Sequence, residues 1–424
     1  MKNNSISSYY SHIKSFSQPI KRLFITHAIF GIGFGIYEVL LNIYLSEIGY
    51  PEGTIGRILA VKAACGALFS LFAGWLADKQ SRKFVYITGL LMTAIGYTTQ
   101  IFSNTPRLIF LGAAIGGIGH GSWNVAIVPY IQENASKKNL PYALGLSSSL
   151  MWFTAMISAI IAGRMPAVLK AATFINTPNK AATLRFSLLL GILIIIAALL
   201  PASGMAGKTS SQKTSPALTL TAKDDNEEEA SLRNPFFDMA KFALCNSLMG
   251  LGAGLIIPYF NLYFKNWVGV SLPTIGTIFA LGQIGTAIGS LSAPLLSQRF
   301  GPLKSLLASN LLSLPLMVTM AFTKNLYICS FAYIFRGALI NTTSPLVQEI
   351  LMNTVPQNLR ARASATNNFF WNLTWAISMS FSGTLIRNKG YAPSLLIASF
   401  CYLLAAFFYW YFFRNYNSAK RTAD

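Results

Sequence analysis

The sequence predicts an all-α integral membrane protein with twelve transmembrane helices in two pseudo-symmetric six-helix bundles. The composition, the apolar segments and an internal repeat each support this fold class. Apolar residues make up 53% of the 424 residues and charged residues 11%, whereas soluble globular proteins have about 45–50% and about 25%. A soluble chain with so few charges would be unable to cover its own surface, so lipid must surround much of it.

The apolar residues are grouped into segments long enough to cross a bilayer. A spanning helix needs about 20 mostly apolar residues, and such helices tolerate Gly and Pro. The segments that qualify are 21–48, 54–77, 84–103, 107–132, 141–164, 185–204, 236–264, 273–297, 303–322, 325–351, 361–386 and 392–413.

Polar stretches divide the chain around these segments. The first 19 residues are polar, and the apolar run that follows exceeds the about 7–15 residues of a signal-peptide core, so a retained helix is expected. Segment 205–234 carries Ser, Thr, Lys and an acidic run, which is typical of a flexible linker. The predicted domains are a cytosolic tail (1–20), a first bundle (21–204), a cytosolic linker (205–235), a second bundle (236–413) and a cytosolic tail (414–424).

The two halves of the chain repeat one another. The stretch Pro129–Glu133 matches Pro345–Glu349 at an offset of 216, and Trp152 matches Trp371 at an offset of 219. A long duplication in an apolar chain is typical of a two-halved transporter with its substrate site between the halves. Glycines at four-residue spacing predict close helix contacts. These pairs are Gly31/Gly35, Gly112/Gly116, Gly117/Gly121, Gly250/Gly254 and Gly285/Gly289.

The net charge of +20 does not indicate a nucleic-acid partner, because the basic residues lie in short clusters between apolar runs rather than on one face. With the N-terminus inside, the predicted cytosolic segments hold 21 of the 33 Lys and Arg residues and the outer segments hold 10. This bias predicts that both termini are cytosolic, in a cell membrane (the inner membrane of a Gram-negative cell). The four cysteines lie inside apolar runs without ligand spacing, so neither a metal nor another cofactor is expected.

A charged loop follows the second apolar segment. Its sequence, Gly74–Lys83, resembles the signature loop of the major facilitator superfamily: Gly, three residues, Asp, a basic residue, any residue, Gly and two basic residues. Ser81 stands where that family usually has the second Gly, and a degenerate copy, Gln298–Lys304, lies in the second half. Together with the twelve spans and the duplication, the resemblance covers nearly the whole chain. It implies a secondary transporter that works by alternating access.

The same loop predicts a cytosolic gate. The resemblance implies that Asp78 caps the positive N-terminal end of the eleventh helix, near residues 359–363. Arg82 could pair with Glu133 at the end of the fourth helix, and the two contacts would hold the cytosolic side shut. The alternative is that the basic residues only set the topology. The gate candidates are Gly74, Asp78, Arg82, Lys83 and Glu133.

Four ionisable residues lie inside the predicted spans, namely Glu38, Lys62, His120 and Arg336. Such groups cost about 2.5–3.5 kcal/mol each on insertion scales and persist where they face a cavity or a partner. His120 and Arg336 are separated by 216 residues, which is the offset of the repeat. The resemblance implies that helices one, four, seven and ten line the central cavity, and three of the four residues lie on those helices.

Each of these residues has more than one interpretation. Glu38 and Lys62 lie at matching depths of about 14 and 12 Å from the outer helix ends, at about 1.5 Å per residue, so they predict an ion pair. Glu38 could also carry a proton or contact the solute. His120 is either a packing residue or a second proton group. Arg336 is the best anion binder of the set, and it needs a carboxylate, backbone carbonyls or a solute anion.

Polar and aromatic residues predict further solute contacts. Asn368 and Trp371 share a face of the eleventh helix with Trp375, and this stripe could hold an amphipathic or aromatic solute. For each such residue the alternative is interhelical hydrogen bonding and packing. The predicted substrate or proton site comprises Glu38, His120, Arg336, Asn124, Tyr259, Asn341, Asn368 and Trp371.

The sequence therefore predicts a secondary active transporter, with proton coupling as a hypothesis and a monomer as the expected state. The expected partners are the lipid bilayer and a small solute, and the mid-span arginine favours a solute with an anionic group. A facilitative uniporter is the first alternative. An enzyme or a sensor is disfavoured, because the sequence has no catalytic His–carboxylate spacing, no nucleotide-binding loop and no sizeable soluble domain.

Overall fold

The structure, a computed structural model, describes residues 13, 15–103, 105–136, 138–171, 180–207, 235–356 and 359–414. Most of the predicted N-terminal tail (1–20), linker (205–235) and C-terminal tail (414–424) lies outside the described residues. Those domain boundaries therefore remain predictions.

Every regular element in the described ranges is a helix, and twelve long helices carry the fold. In the first half these are α1 (Gln18–Glu47), α2 (Glu52–Lys79), α3 (Arg82–Phe102), α4 (Pro106–Asn134), α5 (Leu140–Ala171) and α6 (Lys180–Ala197), and a one-turn helix, Leu199–Ser203, follows α6. In the second half they are α7 (Pro235–Ile256), α8 (Leu272–Phe300), α9 (Pro302–Phe322), α10 (Leu326–Thr354), α11 (Arg360–Lys389) and α12 (Tyr391–Phe413). The predicted all-α class with twelve helices is confirmed.

Local sequence explains where several helices begin. The Ser81 hydroxyl accepts a hydrogen bond from the Phe84 N–H at the start of α3, and the Asn325 side chain accepts from two N–H groups at the start of α10. Side chains of this kind satisfy N–H groups that have no partner within the helix. Gly390, at φ 77°, separates α11 from α12, because glycine adopts positive φ at little steric cost.

The seventh span differs from its prediction. The sequence predicts one continuous helix over 236–264, but the α-helix ends at Ile256 and continues as a 3₁₀ turn and a wider π-helical turn up to Val268. Pro258 explains the break, because proline donates no backbone hydrogen bond and its ring crowds the preceding turn. The next residue, Tyr259, is almost fully buried, and its hydroxyl donates to the Met379 carbonyl at 2.7 Å.

Hydropathy separates the helices into two groups. Within the described ranges, nine helices are long and apolar enough to cross a membrane by composition. The other three are α4, α10 and α11. These are the helices that carry His120, Arg336 and the Asn368–Trp371 stripe. Helices of such polarity are stable in a bilayer when their polar faces avoid lipid.

The chain divides into two compact units. The first unit contains 1–50, 61–212 and 271–280, and the second contains 51–60, 213–270 and 281–424. The first residues of α2 therefore belong to the second unit, and the first residues of α8 belong to the first. These two helix starts are equivalent in the repeat, because Thr54–Gly56 corresponds to Thr274–Gly276 at an offset of 220.

In the first unit, α1 approaches two other helices at glycines. A Cβ at Gly31 would lie 2.6 Å from the Thr154 hydroxyl oxygen on α5, and one at Gly35 would lie 2.7 Å from the Ser158 Cβ. On another face, a Cβ at Gly33 would lie 2.9 Å from the backbone of α6. Because these distances leave no room for a side chain, the glycines permit the close approach.

The second unit repeats this arrangement with equivalent residues. Gly250 and Gly254 on α7 face Thr374 and Ser378 on α11, and Gly252 faces α12. The glycines are offset by 219 residues from those of α1, and the two hydroxyl residues are offset by 220 from those of α5. The internal duplication is thus present in the helix packing as well as in the sequence.

The exchanged helix starts pack through a second pair of equivalent glycines. In the second unit a Cβ at Gly56 would lie 3.3 Å from the Cα of Gly383. In the first unit a Cβ at Gly163 would lie 2.9 Å from the Cα of Gly276. Gly56 corresponds to Gly276, and Gly163 corresponds to Gly383, both at an offset of 220. The same glycine-to-glycine contact therefore occurs once in each unit.

The α3–α4 contact gives a direct test of this packing. A Cβ at Gly96 on α3 would lie 2.6 Å from the carbonyl oxygen of Gly112 and 2.7 Å from the Cα of Gly116. We expect Gly96→Ala to lower the thermal unfolding midpoint in detergent, because overpacking against backbone costs about 1–3 kcal/mol. Gly145→Ala on α5 is the matched control, because no atom lies within 4 Å of its added Cβ. Equal losses in both variants would contradict the packing argument.

Candidate functional site

The first unit contains a cluster around Glu38, which lies nine residues before the end of α1. The Lys62 ammonium on α2 donates to Glu38 Oε1 and forms an ion pair with it. The Tyr97 hydroxyl on α3 donates to the same oxygen at 2.9 Å. Three helices therefore meet at one carboxylate oxygen, and the Glu38–Lys62 pair that depth alone predicts is present in the structure.

Packing holds the two residues that donate to Glu38. The Tyr97 ring stacks on the Tyr37 ring at 3.5 Å between centroids, and the Tyr37 hydroxyl donates to the Gln100 side chain. A Cβ at Gly117 on α4 would lie 3.1 Å from the Cα of Lys62, so α2 and α4 are in close backbone contact at this point. The donors are thus fixed by neighbours other than the carboxylate that they bind.

His120 on α4 belongs to the same cluster. Its ring stacks on Phe34 at 5.3 Å and meets Trp123 edge-on at 5.1 Å. The Lys62 Nζ lies 5.6 Å from the Phe34 ring and 5.2 Å from the Tyr97 ring, which are cation–π distances. Among the described residues, His120 Nδ1 and Trp123 Nε1 have no hydrogen-bond partner. The cluster therefore has two ring nitrogens that are available for a hydrogen bond beside an aromatic surface.

The ion pair is unevenly exposed. The Glu38 side chain is 38% exposed, whereas the Lys62 side chain is 11% exposed. The carboxylate thus lies nearer to accessible surface than the ammonium does. An ion pair between helices with few other charges is costly to break by removal of one partner, because the other charge is left without compensation.

Arg336 on α10 occupies a different environment in the second unit. Its side chain is 3% exposed, and its Nη2 donates to the Tyr402 hydroxyl on α12 at 2.7 Å. The guanidinium carbon lies 5.6 Å from the Phe260 ring and 5.5 Å from the Tyr402 ring. Its Nε has no hydrogen-bond partner among the described residues. Two aromatic faces and one neutral hydroxyl thus surround a buried positive charge.

No described carboxylate of the second unit pairs with Arg336 within salt-bridge distance. Asp238 pairs with Lys241 at 2.7 Å, and Glu349 accepts a hydrogen bond from Ser297 at 2.6 Å. Glu349 is thirteen residues further along α10, or about 20 Å at about 1.5 Å per residue. Glu52 begins α2. The sequence predicts a carboxylate, backbone carbonyls or a solute anion as the partner of Arg336, whereas within the described residues the guanidinium donates to a tyrosine hydroxyl.

The predicted gate residues form a second charged cluster where α2 ends and α3 begins. Arg82 donates to Asp78 and also to Glu133 at 3.1 Å, so it bridges α2 and α4. The Lys83 ammonium donates to the Ser203 carbonyl at 2.7 Å. Asp78 is 68% exposed. A Cβ at Gly74 would lie 3.6 Å from the Val125 side chain on α4, which is an ordinary van der Waals distance. The role of Asp78 at the start of α11 stays a prediction.

The other predicted site residues are distributed over both units. Asn124 and Asn368 are exposed. Asn341 donates to the Thr286 hydroxyl at 3.3 Å and to the Gly337 carbonyl at 2.8 Å. Trp371 lies 5.9 Å from Trp375. Of the predicted set, the structure therefore brings together Glu38 and His120 in one cluster and leaves Arg336 in another.

Sequence reasoning missed three contributors to the Glu38 cluster, which are Phe34, Tyr37 and Tyr97. None of them is charged, and aromatic residues are common in apolar helices, so composition did not separate them from packing residues. A helical signal was available for one of them: Phe34 precedes Glu38 by four residues and therefore lies on the same face. Tyr97 lies on another helix, and no spacing rule connects it to Glu38.

Long apolar helices that carry ionisable groups are typical of multi-pass membrane transport proteins. The family model described as Major Facilitator Superfamily matches residues 23–223 and 242–424. The chain belongs to the major facilitator superfamily. It is a secondary transporter that moves a small solute by alternating access, and it is not an enzyme.

Curated relatives and solved structures are similar to this chain over nearly its whole length. The chain is 22% identical to the multidrug resistance protein MdtG of Escherichia fergusonii over 413 residues, which cover 93% of this chain and 92% of that protein. It is 22% identical to MdtG of Dickeya zeae over 406 residues, covering 93% and 94%. The nucleoside transporter NupG has a TM-score of 0.75 at 14% identity, covering 93% of this chain and 98% of that one. A bacterial homologue of the lysosomal transporter Spinster has a TM-score of 0.71 at 14% identity, covering 92% and 95%.

The environment of Arg336 leads to a stability prediction. We expect Arg336→Met to raise the thermal unfolding midpoint and to abolish solute transport. A buried charge without an opposite charge is destabilising, whereas the methionine fills similar volume among aromatic rings. Arg299→Met is the control, because Arg299 is exposed and surface changes usually stay within about 0.5 kcal/mol. A large loss of stability in Arg336→Met alone would show that the guanidinium is compensated.

Proposed function

We propose that this transporter couples solute movement to protons through Glu38 and that its solute carries an anionic group. One observation supports the coupling most directly: a carboxylate within a membrane helix is ion-paired and hydrogen-bonded, yet its side chain is 38% exposed. A proton carrier needs both a stable ionised state and access to protons. Lys62 stabilises the ionised state of Glu38, and the exposed part of the Glu38 side chain could give protons access to it.

His120 is the second proton group in this proposal. It lies on α4, and its ring stacks on Phe34 beside the Lys62 ammonium. The ring therefore belongs to the same cluster as the Glu38 carboxylate, and it is the second candidate for carrying a proton.

Arg336 supports the anionic solute. A buried guanidinium in the second unit has an aromatic surface and one hydroxyl as its partners. Arginine recognises carboxylate and phosphate groups by paired N–H donors, and its Nε has no partner among the described residues. A solute anion would supply the missing charge. The exposed Asn124 and Asn368, together with Asn341, Tyr259 and Trp371, are the proposed further contacts.

The orientation belongs to the same proposal. The distribution of Lys and Arg favours cytosolic termini. The Asp78–Arg82–Glu133 cluster then lies on the cytosolic side, where it joins α2 to α4 as one arm of the gate. The monomer remains the proposed state.

Two other functions are the alternatives to this proposal. A facilitative uniporter would use the same charges only to bind solute, and insensitivity to proton uncouplers would favour it. A multidrug exporter is favoured by the name of the curated relatives, and the aromatic surface around Phe34 and Trp123 would suit varied apolar solutes. A thermal-shift screen of the purified protein with organic acids, amino acids, nucleosides and cationic drugs separates these classes, because a ligand stabilises the folded state that binds it.

The coupling is tested with the solute that this screen identifies. We expect Glu38→Gln to lose uptake driven by an imposed pH gradient in proteoliposomes and to retain solute exchange, because glutamine keeps the shape of the carboxyl group and cannot release a proton. Radiolabelled solute flux with and without the gradient measures both activities.

The control for this experiment is Glu47→Gln, which neutralises a second carboxylate on the same helix. We expect it to respond to the gradient like the native protein. If Glu38→Gln keeps both exchange and the gradient response, Glu38 is not the proton carrier.

The orientation is tested with single cysteines in a cysteine-free background. Lys79 is the last residue of α2, on the proposed cytosolic side, and Lys389 is the last residue of α11, on the proposed outer side. The two variants are Lys79→Cys and Lys389→Cys. In intact cells a membrane-impermeant maleimide should label the cysteine at 389, and it should label the one at 79 only after permeabilisation. The reverse pattern would invert the proposed topology.

A further inference from the structure

The Glu38 cluster has a property that proton carriage alone does not require. Its cation, Lys62, is held by groups other than Glu38. The Lys62 ammonium lies within cation–π distance of the Phe34 and Tyr97 rings, and its backbone packs against Gly117. These contacts remain when Glu38 is neutral, so we expect the ammonium to keep its position.

The charge balance of the first unit makes Lys62 dependent on Glu38. The carboxylates of this unit are Glu38, Glu47, Asp78 and Glu133. Asp78 and Glu133 both pair with Arg82, and Glu47 ends α1, nine residues from Glu38 or about 14 Å along the helix axis. No other carboxylate of the unit is placed to compensate Lys62.

The groups that face Glu38 from neighbouring helices are Lys62 on α2, Tyr97 on α3 and His120 on α4. Two basic residues of α5 and α6 have contacts away from Glu38. Arg164 donates to Thr277 at 3.4 Å, and Arg185 lies 4.9 Å from the Phe102 ring. Protonation of Glu38 would therefore leave one positive charge, on Lys62, in an apolar environment.

We infer that Lys62 is an anion-binding residue and that Glu38 is an internal competitor for it. A proton from water adds to the Glu38 carboxylate, the ion pair with Lys62 breaks, and the ammonium keeps its own proton. An oxyanion of carboxylate size then binds the ammonium in place of Glu38. The cluster is neutral before this exchange and neutral after it, because one proton and one negative charge enter together.

This inference deepens the proposed function and depends on it for its role in transport. It assigns one proton to each anionic group that binds in the first unit. The uneven exposure of the pair agrees with this order, because the competitor, Glu38, lies nearer to accessible surface than Lys62 does. An anion that reaches the cluster meets Glu38 first and binds Lys62 only after Glu38 is neutral.

Glu38→Gln tests the exchange without a known solute, because glutamine imitates the protonated carboxyl group. The probes are formate and acetate, and acetamide is the neutral control at the same ionic strength. At pH 8 in uncharged detergent, we expect acetate to raise the unfolding midpoint of Glu38→Gln saturably, by about 2–4 °C. We expect no such shift in the native protein, where Glu38 occupies Lys62, or in the double variant Glu38→Gln/Lys62→Gln.

Glu38→Ala is the second variant, and it leaves room for the probe where the carboxylate was. Formate should restore part of the stability that this variant loses, and Lys62→Gln should remove the rescue. Equal shifts with and without Lys62, or equal shifts with acetate and acetamide, would overturn the inference. Absence of any shift in both single variants would also overturn it.

The experiment separates this inference from the proposed function. The binding measurement involves no proton gradient, whereas the proteoliposome measurement involves no anion probe. Anion binding at Lys62 together with an unchanged gradient response in Glu38→Gln would retain the anion site and reject proton coupling. Stabilisation of the native protein by tetramethylammonium in place of acetate would identify Glu38 as the ligand-binding group and would reject Lys62.

Discussion

The structure of each unit depends on the close approach of its first helix to two neighbours at glycine residues. Gly31 and Gly35 bring α1 against α5, and Gly250 and Gly254 bring α7 against α11. Lipid provides no hydrophobic drive for helices to associate, so packing at small residues takes that role. This approach sets the position of α1, and α1 carries Phe34, Tyr37 and Glu38. The geometry of the candidate site thus depends on packing contacts at glycines, which take no part in binding or proton transfer themselves.

The two units use ionisable groups in different ways although they descend from one repeat. In the first unit a carboxylate and an ammonium neutralise each other beside aromatic rings. In the second unit a guanidinium lies between aromatic rings and has no described carboxylate partner. In the proposed mechanism a solute anion competes for the first cation and supplies the missing charge at the second. The repeat thus provides similar scaffolds, and in this proposal the identity of a few residues makes anion binding in the first unit depend on a proton.

The helix-end cluster contains the most exposed carboxylate among these ion pairs. Arg82 bridges Asp78 and Glu133, and Asp78 is 68% exposed. The exposed Asp78–Arg82 pair is of the kind that contributes about 0.2–1 kcal/mol, so in the proposed gate it is weak enough to open and close during a transport cycle. The Glu38–Lys62 pair lies within the apolar part of its helices, where a charge left without its partner is costly. These different locations suit the proposed gate at one place and the proposed coupled binding event at the other.

The sequence by itself determined the membrane class, the number of helices and the duplication, because each of these depends on the order of residues along one chain. It also identified Glu38, Lys62, His120 and Arg336 as unusual, since a charge in an apolar run is visible without a structure. Only the tertiary structure decided which charges are compensated. Compensation depends on distances between helices that are far apart in sequence, as with Lys62, Tyr97 and Glu38. That no carboxylate among the described residues pairs with Arg336 became visible for the same reason.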